Sequence, residues 1–400
     1  MRLKLSFTTK AVILLAILSA LLSFAKFDHC YTTNWIGASV DVHECYSDLP
    51  ALFGARGLDH HAWPYSSATN SVEYPPITGL VMWATSLITP SGNGADKIYY
   101  LINFFFIALL FIGTCIVVSK INPAKWYLLP ILPVVIEAAY INWDMWAVIS
   151  AIASIYWFDR KKYNLSAIAL AISIATKFFP IVLLIPIALI LFKEKKFSAL
   201  IRYFGVTAVL WLVINAPFII TTPTGWYRFF KLNESRPADL GSLWQAFNIF
   251  NVNTPGLNFL WIAIFAALSL FAGIKIFFDQ RIPTLAHIAF IFVAIFTALN
   301  KVYSPQYVVW LAPLAVIALI NNRDRAAFWV WQGAEVFYHF AIWEYLAGYS
   351  GAKFGLPAKW YAAAIFIRVA TSLYFATKLL FSTPKTPAQE PEFLQNAPAS

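Results

Sequence analysis

Apolar residues along the chain come in blocks long enough to cross a bilayer, separated by short polar stretches, rather than in the half-apolar stripe of a water-facing helix. A spanning helix needs about 20 mainly apolar residues, with Lys and Arg on its cytoplasmic flank. The first block, Ala11 to Ala25, follows Arg2, Lys4 and Lys10, which orients the N-terminus inward. Ser23-Phe24-Ala25 offers the small-residue spacing of a cleaved signal, but a retained anchor is the better reading. Further blocks lie at 98–119, 126–141, 143–158, 164–176, 178–192, 205–221, 257–278, 283–299, 305–320, 326–345 and 359–381. The pattern predicts an all-α polytopic bundle of about 12 transmembrane helices. The clusters Lys120/Lys125, Arg160-Lys161-Lys162, Lys193/Lys195/Lys196, Arg281, Arg323/Arg325 and Lys385 then fall inside, and both termini are cytoplasmic.

Two segments strain this scheme. Residues 164–192 lie between two basic clusters that both belong inside, so the stretch goes out and returns as two short half-helices broken near Lys177-Phe178-Phe179-Pro180. A charge at such a break is tolerated where it lines protein or water, so Lys177 is expected in a cavity near the outer face. The break at Asn142-Trp143-Asp144 is external by the same parity. Pro76 to Pro90 has no basic flank and reads as re-entrant or interfacial. One catalytic domain, 1–381, is therefore expected, with external loops at 27–75, carrying short interfacial helices, and at 221–256. The Pro-, Ala-, Gln- and Glu-containing tail, 382–400, is expected to be disordered and cytoplasmic.

Composition narrows the class. Apolar residues make up 60 % of the 400 and charged ones 12 %, which excludes an ordinary soluble domain and fits a multi-pass plasma-membrane protein. The net charge of +10 sits in short clusters between apolar blocks, where it sets topology, so no nucleic-acid partner is expected. Of the three Cys residues, Cys30 and Cys45 share the first external stretch and are free to bridge; Cys115 has apolar neighbours. There is no phosphate-binding Gly-rich loop, zinc spacing or nucleophile elbow.

Candidate chemistry gathers on the outer side. The first loop holds Asp41, Glu44, Asp48, Asp59 and Glu73 beside His29, His43, His60 and His61; a carboxylate among its aromatic residues can act as a base with a raised pKa, whereas solvation of a loop accounts for most of them. A metal site on His60 and His61 is conceivable but unsupported by spacing, and no metal is predicted. Glu137, Asn142, Asp144, Lys177, Asn300, Lys301 and Gln306 cluster at external helix ends and suit a pocket for a phosphate and a sugar; an Asp144–Lys177 structural ion pair accounts for part of the set equally well. In the later loop Arg236 offers a bidentate fork for phosphate, and Trp226 or Trp244 a face for a sugar ring, though interfacial anchoring also accounts for the Trp residues. Glu335 and His339 are four apart on one helix, with Glu344 beyond, and a proton relay there keeps a transporter in view.

The order of an acidic first loop ending in Glu73-Tyr74-Pro75-Pro76, then Asn142-Trp143-Asp144, Ala175-Thr176-Lys177-Phe178-Phe179-Pro180 and Lys301-Val302-Tyr303-Ser304-Pro305-Gln306-Tyr307 resembles the GT-C membrane glycosyltransferases. It looks closest to glycosyltransferase family 87, the actinobacterial polyprenyl-phosphate-mannose-dependent mannosyltransferases. The resemblance implies a GT-C fold and an inverting transfer at the outer face, from a polyprenyl-phosphate sugar, mannose on family grounds, to a hydroxyl of a glycolipid or glycan, with no cofactor. In the family an acidic residue of the first loop is the base, followed by an aromatic "PY" and then "YPP". Asp48, ahead of Pro64-Tyr65, fits that spacing, and Asp41 is the runner-up. Lys177, Lys301 and Arg236 would hold the donor phosphate, and Glu73, Asp144 and Gln306 would orient the sugar or the cations. The alternative is a secondary transporter or lipid-linked sugar flippase, which would need two similar halves with paired broken helices; crowding of polar residues on one face favours catalysis. A scaffold subunit would not need Lys177 or Lys301 at depth.

Overall fold

The computed structural model describes residues 6–67, 69–280 and 282–382. Arg2, Lys4, Arg281 and Lys385, used above to orient the chain, and the tail from residue 383 lie outside the described residues. Among the described residues there are eighteen α-helices and no strand. The first half comprises α1 (Phe7–Thr33), α2 (Ser39–Val42), α3 (Asp48–Ala55), α4 (Pro76–Leu87), α5 (Ala95–Ile121), α6 (Leu128–Ile131), α7 (Pro133–Ala138), α8 (Asp144–Asp159) and α9 (Tyr163–Thr176). The second comprises α10 (Leu184–Lys193), α11 (Phe197–Thr221), α12 (Pro223–Ser235), α13 (Leu243–Ile249), α14 (Leu257–Phe278), α15 (Leu285–Leu299), α16 (Val308–Ala318), α17 (Arg325–Tyr349) and α18 (Ala358–Phe381).

Five helices, α1, α5, α11, α14 and α18, are long and apolar enough to cross a membrane. They leave large side chains such as Leu14, Ile201 and Phe259 uncovered, and a surface of that kind faces lipid. The chain is a membrane protein. At the centre lie α15 and α16, apolar all round and buried on almost every face, as a helix enclosed by other helices must be. Around them α17 packs on α18, α8 on α9, and α9 on α11.

The expected blocks fall on helices with one exception, and the count of twelve spans is not met by single continuous helices. The block at 126–141 is split at Leu132-Pro133 into α6 and α7, because proline removes a ladder hydrogen bond and forces its predecessor out of helical geometry. Helices α8, α9, α10, α15 and α16 are shorter than a bilayer requires, and α17 carries Gln332, Glu335, His339 and Glu344. Of these, α15 and α16 are enclosed by other helices and have no hydrocarbon thickness to match, whereas α9 and α17 each keep one apolar face uncovered.

Two loop boundaries move. Helix α1 continues to Thr33, so the first loop begins at Asn34 rather than at 27; Lys26, which would end a lipid-facing helix, instead donates from Nζ to the Glu137 carbonyl at 3.2 Å. The stretch 221–256 is half helical, holding α12 and α13. Pro76–Leu87 forms the twelve-residue α4, about 18 Å long and too short to span alone, with Thr78 Oγ1 donating to the Thr176 carbonyl at 2.5 Å. The break in 164–192 occurs where expected, at Lys177, between α9 and a 3-10 turn over Phe179–Leu183.

Candidate active site

Several chain breaks face one another at one end of the bundle: the start of α3, the α7–α8 turn, the α9–α10 break, the end of α12 and the α15–α16 connection. Together they wall a cavity of about 930 Å³. Asp41, Asp48, Glu73, Lys177, Arg236, Lys301 and Gln306, singled out from sequence, all line it. Asp144 stands just behind the wall, in contact with Lys177.

Local structure explains how Asp48 gets there. Ser47 caps α3, its Oγ accepting from the Leu49 N–H at 3.2 Å while donating to the Tyr140 carbonyl at 2.8 Å. The Asp48 N–H donates to the Ile141 carbonyl at 2.7 Å, so the helix start is fastened to the turn before Asn142. A disulfide between Cys45 and Cys30 ties the preceding residues to α1. Tyr46 Oη donates to Asp48 Oδ1 at 2.8 Å and Asn142 Nδ2 to Oδ2 at 2.5 Å. Burial pushes the Asp48 carboxyl above the usual carboxylate range; the Tyr46 hydrogen bond, the Lys177 charge and the Asn142 hydrogen bond pull against it.

Asn142 is the hub. Its Nδ2 also donates to Tyr74 Oη at 2.8 Å, and its Oδ1 accepts from Lys177 Nζ at 2.9 Å and from the Trp143 N–H at 2.6 Å. Only this orientation of the amide serves an anion and a cation at once. Lys177 Nζ lies 3.4 Å from Asp144 Oδ1 and 4.0 Å from the centre of the Tyr74 ring. Trp310 Nε1 donates to Asp144 Oδ1 at 2.9 Å, while Oδ2 is buried without a hydrogen-bond partner among the described residues. Tyr74 is held by the "PY" tyrosine: Tyr65 Oη reaches the Tyr74 and Pro75 carbonyls, each at 2.9 Å. Gly79 leaves room for that ring, since a Cβ there would overlap it.

The other expected residues are engaged differently. Glu73 forms a bidentate pair with Arg56, at 2.7 and 2.8 Å, so its carboxylate is occupied by a cation that no sequence pattern singled out. Lys301 Nζ donates to the Glu234 carbonyl at 2.8 Å and to Asn258 Oδ1 at 2.5 Å; burial, and after it Arg236, lowers its pKa. Arg236 contacts Asp239 at 3.3 Å and keeps about a third of its side chain exposed. Asp41 accepts from the Ser350 hydroxyl, and burial raises its carboxyl. Among the described residues no three His, Cys, Asp or Glu side chains converge as metal ligands, and His60 meets only Asp59, at 3.5 Å.

Behind the cavity wall at Ser304, the supposed relay on α17 is an ion pair. Glu335 Oε2 accepts from Arg368 Nε at 2.8 Å, both side chains fully buried, and His339 Nδ1 faces the Glu335 carbonyl rather than its carboxylate. Sequence reasoning missed Arg368; the signal that could have found it is an Arg at the middle of the apolar block 359–381, which needs a buried carboxylate to face.

No protein-family model matches the chain, and no curated protein does. Among solved structures, the crystal structure of ArnT from Cupriavidus metallidurans bound to undecaprenyl phosphate is similar, at 14 % identity over 93 % of this chain and 77 % of that one, with a TM-score of 0.48.

Proposed function

We propose that the chain is a membrane glycosyltransferase of GT-C type that moves a hexose, mannose on the resemblance to family 87, from a polyprenyl phosphate to a hydroxyl of a glycolipid or glycan. The reaction is placed at the outer face of the plasma membrane and inverts the anomeric centre. The observation that carries this reading is one amide, Asn142, hydrogen-bonded both to a carboxylate whose pKa is raised and to a buried ammonium, at the wall of a cavity large enough for a sugar phosphate and an acceptor.

The donor is already activated, because the polyprenyl phosphate leaves as a stable anion. The enzyme has to align two reactants, take one proton and neutralise one leaving group. Asp48 accepts the acceptor's proton as its oxygen forms the bond to the anomeric carbon, on the face opposite the departing phosphate. Lys177, steadied by Asp144 and the Tyr74 ring, offers positive charge to that phosphate. Arg236 and Lys301 add to it by exchanging Asp239 and neutral oxygens for phosphate oxygens. Gln306 orients hydroxyls, while Glu73 acts through Arg56. Phe178, Ile181, Ile185, Phe229 and Phe265 give the cavity an apolar flank that suits an isoprenoid chain. The Cys30–Cys45 bridge supports an oxidising, extracytoplasmic setting for the loop.

The test is transfer of radiolabelled mannose from synthetic polyprenyl-phosphate-mannose into a membrane lipid extract by the purified protein. Labelled lipid supports the reading. No label from this or other polyprenyl-phosphate hexoses, with folded protein, would return the alternative of a transporter or flippase.

A further inference from the structure

A second cavity, of about 640 Å³, lies far from the first and has a different character. Lys161, Lys162, Lys195, Lys196 and Arg202 all line it. It sits at the turns between α8 and α9 and between α10 and α11. Helix α8 starts at Asp144, beside the first cavity, and runs 16 residues to Asp159, so the two sites are about 24 Å apart along the helix axis. The 14 residues of α9 return over about 21 Å to Lys177.

The cations are only partly neutralised. Glu194 meets Lys196 at 2.7 Å and Lys161 at 3.8 Å, and no carboxylate contacts Lys162, Lys195 or Arg202 among the described residues. Lys161 and Lys195 each occupy a left-handed turn position, φ +59° and +56°, where Gly or Asn fits with less strain. Orienting the chain across a membrane needs charge near these turns. It does not need that charge folded around a concavity.

What runs away from the cavity identifies the ligand's other end. On α9, Leu165, Ile168 and Ile172 follow one face, and on α11, Phe197, Ile201 and Phe204 do the same; all six are exposed. The two helices pack side by side, so a cationic basin opens directly onto an apolar surface. A phosphate anion alone would use the first part only; a phospholipid would use both.

We propose that this basin binds the phosphate headgroup of an anionic membrane phospholipid, with the acyl chains laid along α9 and α11. The inference is independent of the proposed transfer reaction.

The experiment uses the full chain in detergent with native mass spectrometry, titrated with phosphatidylglycerol or phosphatidylcholine and, separately, with inorganic phosphate. The wild type should retain one phosphatidylglycerol at least tenfold more strongly than phosphatidylcholine. Lys162→Gln/Lys195→Gln/Arg202→Gln should lose that preference, and Lys162→Arg/Lys195→Arg should keep it, which separates charge from misfolding. Lys120→Gln/Arg323→Gln, removing cations elsewhere, should leave it unchanged. Equal retention by the triple variant, or equal loss in the Lys120/Arg323 variant, would overturn the proposal. Displacement of the lipid by millimolar inorganic phosphate would overturn its lipid part.

Discussion

Removing Arg368 should cost this protein a large share of its stability. The guanidinium is fully buried, donates to Glu335 at 2.8 Å, to the Tyr303 carbonyl at 2.7 Å and to the Ser304 carbonyl at 3.3 Å, and stacks on the rings of Tyr303 and Tyr338. Arg368→Met leaves Glu335 with only the Tyr303 hydroxyl and Trp331 N–H as donors, at 3.2 and 3.1 Å. A buried charge stripped of its partner costs about 3–5 kcal/mol, and an unfilled buried carbonyl adds about 1. With the Tyr303 and Ser304 carbonyls both unfilled, the single variant should therefore lose about 4–7 kcal/mol. In Glu335→Leu/Arg368→Met neither charge remains; most of that loss should return, leaving about 1–2 kcal/mol for the Tyr303 and Ser304 carbonyls. The assay is equilibrium unfolding in mixed micelles, followed by tryptophan fluorescence, for the wild type, both singles and the double. A coupling of at least about 2 kcal/mol is expected. A single variant within about 1 kcal/mol of wild type, or effects that simply add, would refute this account of the pair.

Other consequences follow from the same geometry. Asn142→Leu removes a donor to Asp48 and an acceptor for Lys177; at about 1.5 kcal/mol for each charge-assisted bond, transfer should fall about a hundredfold. Because Asp48 works as a base only when ionised and its pKa is already raised, the acid limb of the rate profile should lie above the ordinary carboxylate range and move further up in this variant. An unmoved limb would contradict that role. Cys30→Ser/Cys45→Ser opens a loop of sequence separation 15, worth about 3 kcal/mol of stability; an unchanged unfolding midpoint would deny the bridge. Gly79→Ala drives a methyl into the Tyr65 ring and should destabilise by about 1–3 kcal/mol, whereas Gly54→Ala, which meets open space, should not; equal midpoints would show the Tyr65 contact to be slack.

Much of this architecture was readable because lipid imposes a simple rule on it. Long apolar blocks became α5, α14 and α18 within a few residues of their expected ends, since a helix in hydrocarbon stops where its backbone meets water. The break at Lys177 was legible because a charge three residues ahead of a proline, inside an apolar stretch, is incompatible with an unbroken helix in lipid. Where protein replaces lipid the rule loosens. The Leu132-Pro133 split and the extension of α1 to Thr33 depend on contacts between distant segments, as with Lys26 and Glu137. The site followed the same division. Residue type and position brought Lys177, Asp144 and Gln306 forward, and the family resemblance singled Asp48 out of the loop carboxylates, but neither supplied their partners. Arg56 on Glu73, and Asn258 with the Glu234 carbonyl on Lys301, are tertiary pairings with no local pattern. Asn142 stood among the candidates, yet its place between an anion and a cation needed the folded chain.

The central claim is that Asp48 removes the acceptor's proton in a cavity that binds a polyprenyl-phosphate sugar. The most direct measurement compares wild type with Asp48→Asn in two assays on one preparation, binding of a labelled polyprenyl-phosphate donor and transfer of its sugar. Loss of a positioned base costs about 10²–10⁴ in rate, so transfer should fall by that factor while donor binding stays within about threefold of wild type. Transfer surviving in Asp48→Asn, and lost instead in Asp41→Asn, would contradict the assignment.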